Sequence, residues 1–199
     1  MAGTGHDLDL TMAHADSPTL IEHLAANDQD TETKIFLRLI DRLVAAGAEC
    51  VAVTSIAGHF CIERVIEKSP LPVINLITTV HDEIQKRGLS RVGLLGTKTV
   101  MQTGFYGGLP SVEIVVPKGE DLDNVHNDYV EMATQGDATA KHKDTFIRVG
   151  AQMCEEQGAE AVLLAGTDLF LAFNGKATNF DVIDCAEIHI SVLADQAKA

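Results

Sequence analysis

The chain has 199 residues, 46% of them hydrophobic, with 15 Lys plus Arg against 29 Asp plus Glu and a formal net charge of −14. So acidic a balance argues against nucleic-acid and anionic-membrane partners, which need clustered cations, and no apolar run approaches the roughly 20 residues of a membrane span. The apolar content suffices for one large domain or two small ones with cores of their own.

The opening stretch "MAGTGHDLDLTMAHAD" lacks the basic and apolar regions of a signal peptide. The four cysteines, Cys50, Cys61, Cys154 and Cys185, form no C-x-x-C pair, and Cys50 and Cys154 fall inside apolar elements. Reduced thiols and a cytoplasmic location are the expectation. The eight histidines are scattered, so no structural metal is expected.

In chain order, "DLDLTM" (Asp7 to Met12) reads as a strand. Residues from about Asp30 to Ala46 form a helix with Ile35, Leu39, Ile40, Leu43 and Val44 on one face, and Gly47 is placed to end it. "CVAVT" (Cys50 to Thr54) is a continuous apolar run suited to a strand covered on both faces. "HFCIERVIEK" follows as a helix, then strand "PVINLI" (Pro72 to Ile77) and a helix ending near Gly88. Strands "RVGLLG" (Arg91 to Gly96) and "VEIVVP" (Val112 to Pro117) come next, then helices near Leu122–Ala133 and Ala140–Gln157. Strand "AVLLA", a polar loop "FNGKATN", strand "FDVID" (Phe180 to Asp184) and a last helix complete the chain. Strands alternating with helices imply βαβ units, a parallel sheet and an α/β fold.

The pattern repeats. "GAECVAVTS" (Gly47 to Ser55) aligns without gaps on "GAEAVLLAG" (Gly158 to Gly166), and "PVIN" (Pro72 to Asn75) pairs with "DVID" (Asp181 to Asp184). A duplicated α/β unit accounts for both matches; the alternative is that buried parallel strands following a helix resemble one another. Ligands of such sheets bind beyond the carboxyl ends of the strands, which is where Ser55 and Gly166 fall.

Five segments resemble the aspartate/glutamate racemase superfamily, which includes hydantoin racemase, maleate isomerase and arylmalonate decarboxylase. They are "RLVAAGAECVAVTSIAGH", "SPLPVINLI", "RVGLLGTKTVMQTGFY", "GAEAVLLAGTDL" and "FDVIDCAEIH". The resemblance implies two pseudo-symmetric, flavodoxin-like half-domains with parallel sheets, here 1–88 plus 185–199 and 89–184, and an active site in the cleft between them. It also implies a small carboxylate or amino-acid substrate, no cofactor and a homodimer. The family's first βα unit has no counterpart here, and the expectation is a chain shortened at its start.

The resemblance further implies two cysteines flanking the substrate α-carbon, in motifs of the form Cys-Asn-Thr-x-His and Gly-Cys-Thr-Glu. Counted without gaps, the first cysteine falls on Ser55, with Ile56, Ala57 and His59 at the Asn, Thr and His. The second falls on Gly166, followed by Thr167 and by Asp168 in place of Glu. A serine hydroxyl is far less acidic than a thiol and needs its own base, and glycine carries no proton. Two-base racemisation through these two positions is therefore not expected.

The remaining proton carriers are Ser55 with His59, which would resemble an activated nucleophile; Asp168, an acid/base or a helix cap; and Cys185, directly after strand "FDVID". Substrate contacts are expected from Thr54, Gly96, Thr97, Thr103, Gly166 and Thr167, since N–H groups at strand-to-helix turns hold carboxylates. His189 is a ligand contact or a packing histidine. Val100 stands where the family usually has a threonine. With the resemblance, these residues imply a cofactor-free enzyme of α-proton transfer or a related lyase step. A non-catalytic carboxylate-binding homologue and a serine-based hydrolase are the alternatives.

Overall fold

The computed structural model describes residues 9–174 and 177–197. Its elements, in order, are α1 (Ser17–Ala26), α2 (Gln29–Ala45), β1 (Val51–Ala52), a 3-10 turn (Ile56–Cys61), α3 (Ile62–Lys68), β2 (Val73–Ile74) and α4 (Leu76–Lys86). Then come β3 (Arg91–Leu95), α5 (Lys98–Gln102), a second 3-10 turn (Phe105–Gly107), β4 (Glu113–Val115), α6 (Glu120–Gln135) and α7 (Ala140–Gln157). The chain closes with β5 (Ala161–Leu164), α8 (Phe170–Phe173), β6 (Val182–Asp184) and α9 (Cys185–Gln196).

All strand pairs are parallel, in two sheets. One is β1-β2, with Val51 opposite Val73; the other has the order β4-β3-β5-β6. The larger sheet is covered on both faces, which explains its unbroken apolar strands. Val92, Leu94, Leu95, Val162, Leu163 and Leu164 are at most 1% exposed. Each such side chain contributes roughly 1.5–3 kcal/mol relative to exposure.

The internal repeat has a local cause in both copies. Gly47 and Gly158 follow α2 and α7 with φ of +90° and +71°, a left-handed conformation that ends a helix cheaply only with glycine. Asn75 accepts from the Ile77 N–H at 2.9 Å and Asp184 from the Ala186 N–H at 2.8 Å. The same side-chain device therefore opens α4 and α9 at the carboxyl ends of β2 and β6. These two helices pack against each other.

Several expectations need correction. Asp7 and Leu8 of the proposed first strand lie outside the described residues, and Asp9–Met12 is irregular, with Leu10 and Met12 64% and 85% exposed. That stretch pairs with no neighbouring strand among the described residues, and alternation alone does not make a ladder. Strands "CVAVT" and "PVINLI" shrink to Val51–Ala52 and Val73–Ile74, Leu76 and Ile77 opening α4 behind the Asn75 cap, and Cys50 is exposed. The buried stripe of α2 is Glu32, Thr33, Phe36 and Ile40, with Val44 40% exposed, because α2 packs on α1, α3 and the first 3-10 turn. Helix α1 was not expected; Asp16, accepting from the Thr19 N–H at 3.0 Å, and Pro18 in the first turn are its start signals. Within the loop Phe173–Asn179, residues 175 and 176 lie outside the described residues.

Candidate functional site

The turn after β1 places Thr54 exposed and Ser55 half-buried in extended backbone. His59, 2% exposed, donates from Nδ1 to the Ser55 backbone carbonyl at 2.9 Å, and its Nε2 is buried without a partner. The imidazole is thus bonded to the serine's main chain and not to its hydroxyl. Since Nδ1 carries the hydrogen, neutral His59 presents an unshared pair at Nε2. Burial lowers its pKa to about 4, and His189 nearby opposes a positive charge further. His189 is itself buried on α9 and donates from Nε2 to the Ile74 carbonyl at 3.0 Å. It ties the last helix to the end of β2, and burial again lowers its pKa.

After β3, Gly96 passes so close to β5 that a β-carbon on it would stand 2.7 Å from the Ala165 carbonyl oxygen. Thr97 caps α5, its hydroxyl accepting from the Val100 N–H at 3.3 Å. The Lys98 N–H, a possible anion donor of this turn, is given to His126 Nδ1 at 3.2 Å. Thr103 is exposed; its hydroxyl donates to the Thr99 carbonyl at 2.8 Å and accepts from the Tyr106 N–H at 3.1 Å. Val100 is buried in the core.

After β5, Gly166 is buried and Thr167 and Asp168 are half-buried. A β-carbon on Gly166 would meet Tyr129 Cε2 at 2.6 Å, Cζ at 2.7 Å and Oη at 2.8 Å. The Tyr129 hydroxyl donates to Asp168 Oδ2 at 3.3 Å. Asp168 is therefore engaged by a side chain from α6, and α8, with Leu169 at its N-cap position, has no side-chain cap. Burial, then the charge of Asp168, hold the Tyr129 hydroxyl far above the usual phenol range. Cys185, fully buried at the start of α9, is likewise pushed up by burial, then by the charge of Asp184, with Asp168 also within electrostatic reach. Asp184 caps α9 by accepting from the Ala186 and Glu187 N–H groups, and burial raises its carboxyl.

The structure thus sets the β3 and β5 turns side by side: Leu95 pairs with Leu164, and the Ala165 N–H donates to the Leu95 carbonyl at 2.7 Å. It groups Asp168, Cys185 and Tyr129, while Tyr106 lies near both Tyr129 and Cys61. Thr54 and Thr103 make no hydrogen bond to Asp168, Cys185 or Tyr129, although Thr103 accepts from the Tyr106 N–H. Tyr129 and Tyr106 escaped sequence reasoning. The chain has two tyrosines and both are here, one of them with a buried hydroxyl that has no partner, Tyr106; that scarcity was the available signal. A surface groove lined by Leu164, Phe170, Phe173, Thr178, Asp184 and Glu187 opens beside the ends of β5 and β6. It does not include Ser55, Thr97 or Thr167.

Asp128, Glu131 and His142 bring ligand atoms within 4.8 Å of one another. Their chemistry fits a cation poorly. The Thr139 N–H donates to His142 Nδ1 at 3.3 Å, which leaves the hydrogen on Nε2, facing Glu131 at 3.5 Å. Lys141 already holds Asp128 at 2.7 Å.

Residues 2–193 match the family model Asp/Glu/Hydantoin racemase. An aspartate racemase homologue from Pyrococcus horikoshii is 32% identical, with 89% of this chain and 80% of that one covered at a TM-score of 0.76. A provisionally assigned Asp/Glu racemase from Yersinia pestis is 26% identical, with 93% and 82% covered at 0.81. The aspartate racemase of Picrophilus torridus, 20% identical with 83% and 69% covered, shares the fold at 0.66. On the match along nearly its whole length, this chain belongs to the Asp/Glu/hydantoin racemase family.

Proposed function

We propose that the chain is a cofactor-free enzyme that moves the α-proton of a small carboxylic acid or amino acid, by a route other than exchange between two cysteines. The observation that carries this reading is the juxtaposition of the Gly96–Thr97 and Gly166–Thr167 turns at the carboxyl ends of paired strands β3 and β5. Main-chain N–H groups at such turns suit a carboxylate and the enediolate that forms when its α-proton leaves. In this reading residues 1–88 with 185–199 form one half-domain and 89–184 the other. Ser55, His59 and Cys185 then belong to the first half and Asp168 to the second, Thr54 and Thr103 lie toward the rim, and buried His189 holds α9 against the end of β2. The four free cysteines fit a reducing, cytoplasmic setting, and a homodimer is the proposed assembly.

The test is deuterium incorporation at Cα of L- and D-aspartate, L- and D-glutamate and 2-substituted malonates in heavy water, followed by NMR. Exchange above the buffer rate supports the enzyme. Absence of exchange with ligand-induced thermal stabilisation supports a non-catalytic carboxylate binder, the reading favoured by the bare backbone at Gly166. The serine-hydrolase reading has less behind it, because neither ring nitrogen of His59 is hydrogen-bonded to the Ser55 hydroxyl: Nδ1 meets the Ser55 carbonyl and Nε2 is buried without a partner. Hydrolysis of an ester or lactone that disappears in Ser55→Ala would restore it.

A further inference from the structure

We infer that Tyr129, on α6, is the proton-carrying residue on the β5 side of the site, working through Asp168; the inference rests on the α-proton-transfer reading above. Position 166 brings no side chain of its own. The space beside its α-carbon is not empty, because the Tyr129 hydroxyl lies 2.8 Å from where a β-carbon would be. A functional group delivered from another helix thus stands next to the carboxyl end of β5, beside the Gly166–Thr167 turn. Its partner is fixed: the hydroxyl donates to Asp168 Oδ2 at 3.3 Å. With Tyr129 6% exposed, the hydroxyl is held by packing as well as by that bond.

The pairing dictates how the proton moves. A free phenolate beside the Asp168 carboxylate would put two negative charges together in a buried place, which is costly. A concerted relay avoids it. The Cα–H bond of the substrate breaks and its proton adds to the Tyr129 oxygen. The phenolic proton passes at the same time to Asp168 Oδ2, and the electron pair of the broken bond stays on the substrate as an enediolate. One negative charge moves from Asp168 to the substrate, Tyr129 stays neutral, and the reverse steps return a proton to Cα. Positioned acid–base groups of this kind supply about 100- to 10,000-fold in rate.

The experiment measures deuterium incorporation at Cα of D- and L-aspartate by wild type, Tyr129→Phe, Asp168→Asn and Asp168→Glu. Thermal melts and circular dichroism check that each is folded. Tyr129→Phe keeps the ring that fills the space beside Gly166 and removes the relay oxygen alone. Its kcat should fall about 100-fold or more, with KM within about threefold of wild type. Asp168→Asn, which removes the proton acceptor, should lose a similar factor, the double variant should be no worse than the poorer single one, and Asp168→Glu should recover part of the exchange. Should Tyr129→Phe not fold, Tyr129→Leu removes the same oxygen and takes its place, since loss of exchange in Asp168→Asn alone would equally fit direct proton transfer to Asp168. Exchange by Tyr129→Phe within about threefold of wild type, or a raised KM with unchanged kcat, overturns this inference and leaves the enzyme reading standing. No exchange by the wild type overturns both.

Discussion

Tyr129 and Gly166 exclude one another's side chains: a β-carbon at 166 would lie 2.6 to 2.8 Å from three atoms of the phenol. The phenol is buried and hydrogen-bonded, so it cannot swing aside freely. Gly166→Ala should therefore cost about 1–3 kcal/mol, the usual range for overpacking a filled interior. In Tyr129→Ala the same glycine substitution should cost far less, because the space is open. A double-mutant cycle from urea unfolding reads the coupling. A harmless Gly166→Ala in the wild-type background would mean that the ring does not sit there.

That relationship also marks where sequence reading stops. Order and type of the elements were legible along most of the chain, because buried parallel strands are unbroken apolar runs and the helices between them carry their own end signals. Gly47 and Gly158, and the capping pair Asn75 and Asp184, even expose the duplication. Contacts brought by distant elements were not legible. Nothing local says that Tyr129, on a helix about 40 residues before Asp168, supplies the hydroxyl beside Gly166. Nor does spacing say which atom His59 meets, since the i to i+4 relation to Ser55 serves the carbonyl as readily as the hydroxyl. The strand expected at Asp7–Met12 failed for a related reason: alternation marks a face, but only a neighbouring chain makes a ladder.

His59 should make the fold sensitive to mild acid. Its folded-state pKa is about 4 against an ordinary 6.5, so the unfolded chain takes up a proton first as pH falls. The stabilisation is complete above about pH 6.5 and is lost progressively down to about pH 4. A shift of this size corresponds to roughly 3 kcal/mol at the low end of that window. His189, whose pKa is lowered by burial too, acts in the same direction. Urea unfolding at pH 7.5 and pH 5 should show the loss, and His59→Gln should flatten the dependence. Equal slopes for the two proteins would refute the assignment.

The four thiols should differ sharply in reactivity, since the thiolate is the nucleophile. Cys50 is exposed. Burial pushes Cys61 up to about 11 and Cys185 higher still, and raises the half-buried Cys154 as well. At pH 8 only about one Cys61 in a thousand is thiolate. Brief treatment with iodoacetamide, followed by peptide mass spectrometry, should label Cys50 first and leave Cys61 and Cys185 intact until denaturant is added. Rapid native labelling of Cys185 would show that the start of α9 is open to solvent, which would also revive that thiol as a reacting group.

Gly96 should resist replacement strongly, because the nearest atoms a side chain there would meet are backbone. Its missing β-carbon would stand 2.7 Å from the Ala165 oxygen and 3.2 Å from the Ala165 carbonyl carbon. Both are backbone atoms of a junction fixed by the Ala165 N–H bond to the Leu95 carbonyl, so no rotamer change can make room. Gly96→Ala should cost about 3 kcal/mol and pry the Gly96–Thr97 turn away from Gly166–Thr167. Gly136 offers the contrast. It ends α6 at φ +69° with nothing within 4 Å of a built β-carbon, so alanine there pays only the left-handed backbone penalty of about 1–2 kcal/mol. Thermal unfolding ranks the two variants. In the ligand-stabilisation assay Gly96→Ala should also lose its response to dicarboxylates while Gly136→Ala keeps it, because only the former disturbs the paired strand ends. A Gly96→Ala protein as stable as Gly136→Ala, with an unchanged ligand response, would mean that β3 and β5 do not approach as closely as this geometry requires.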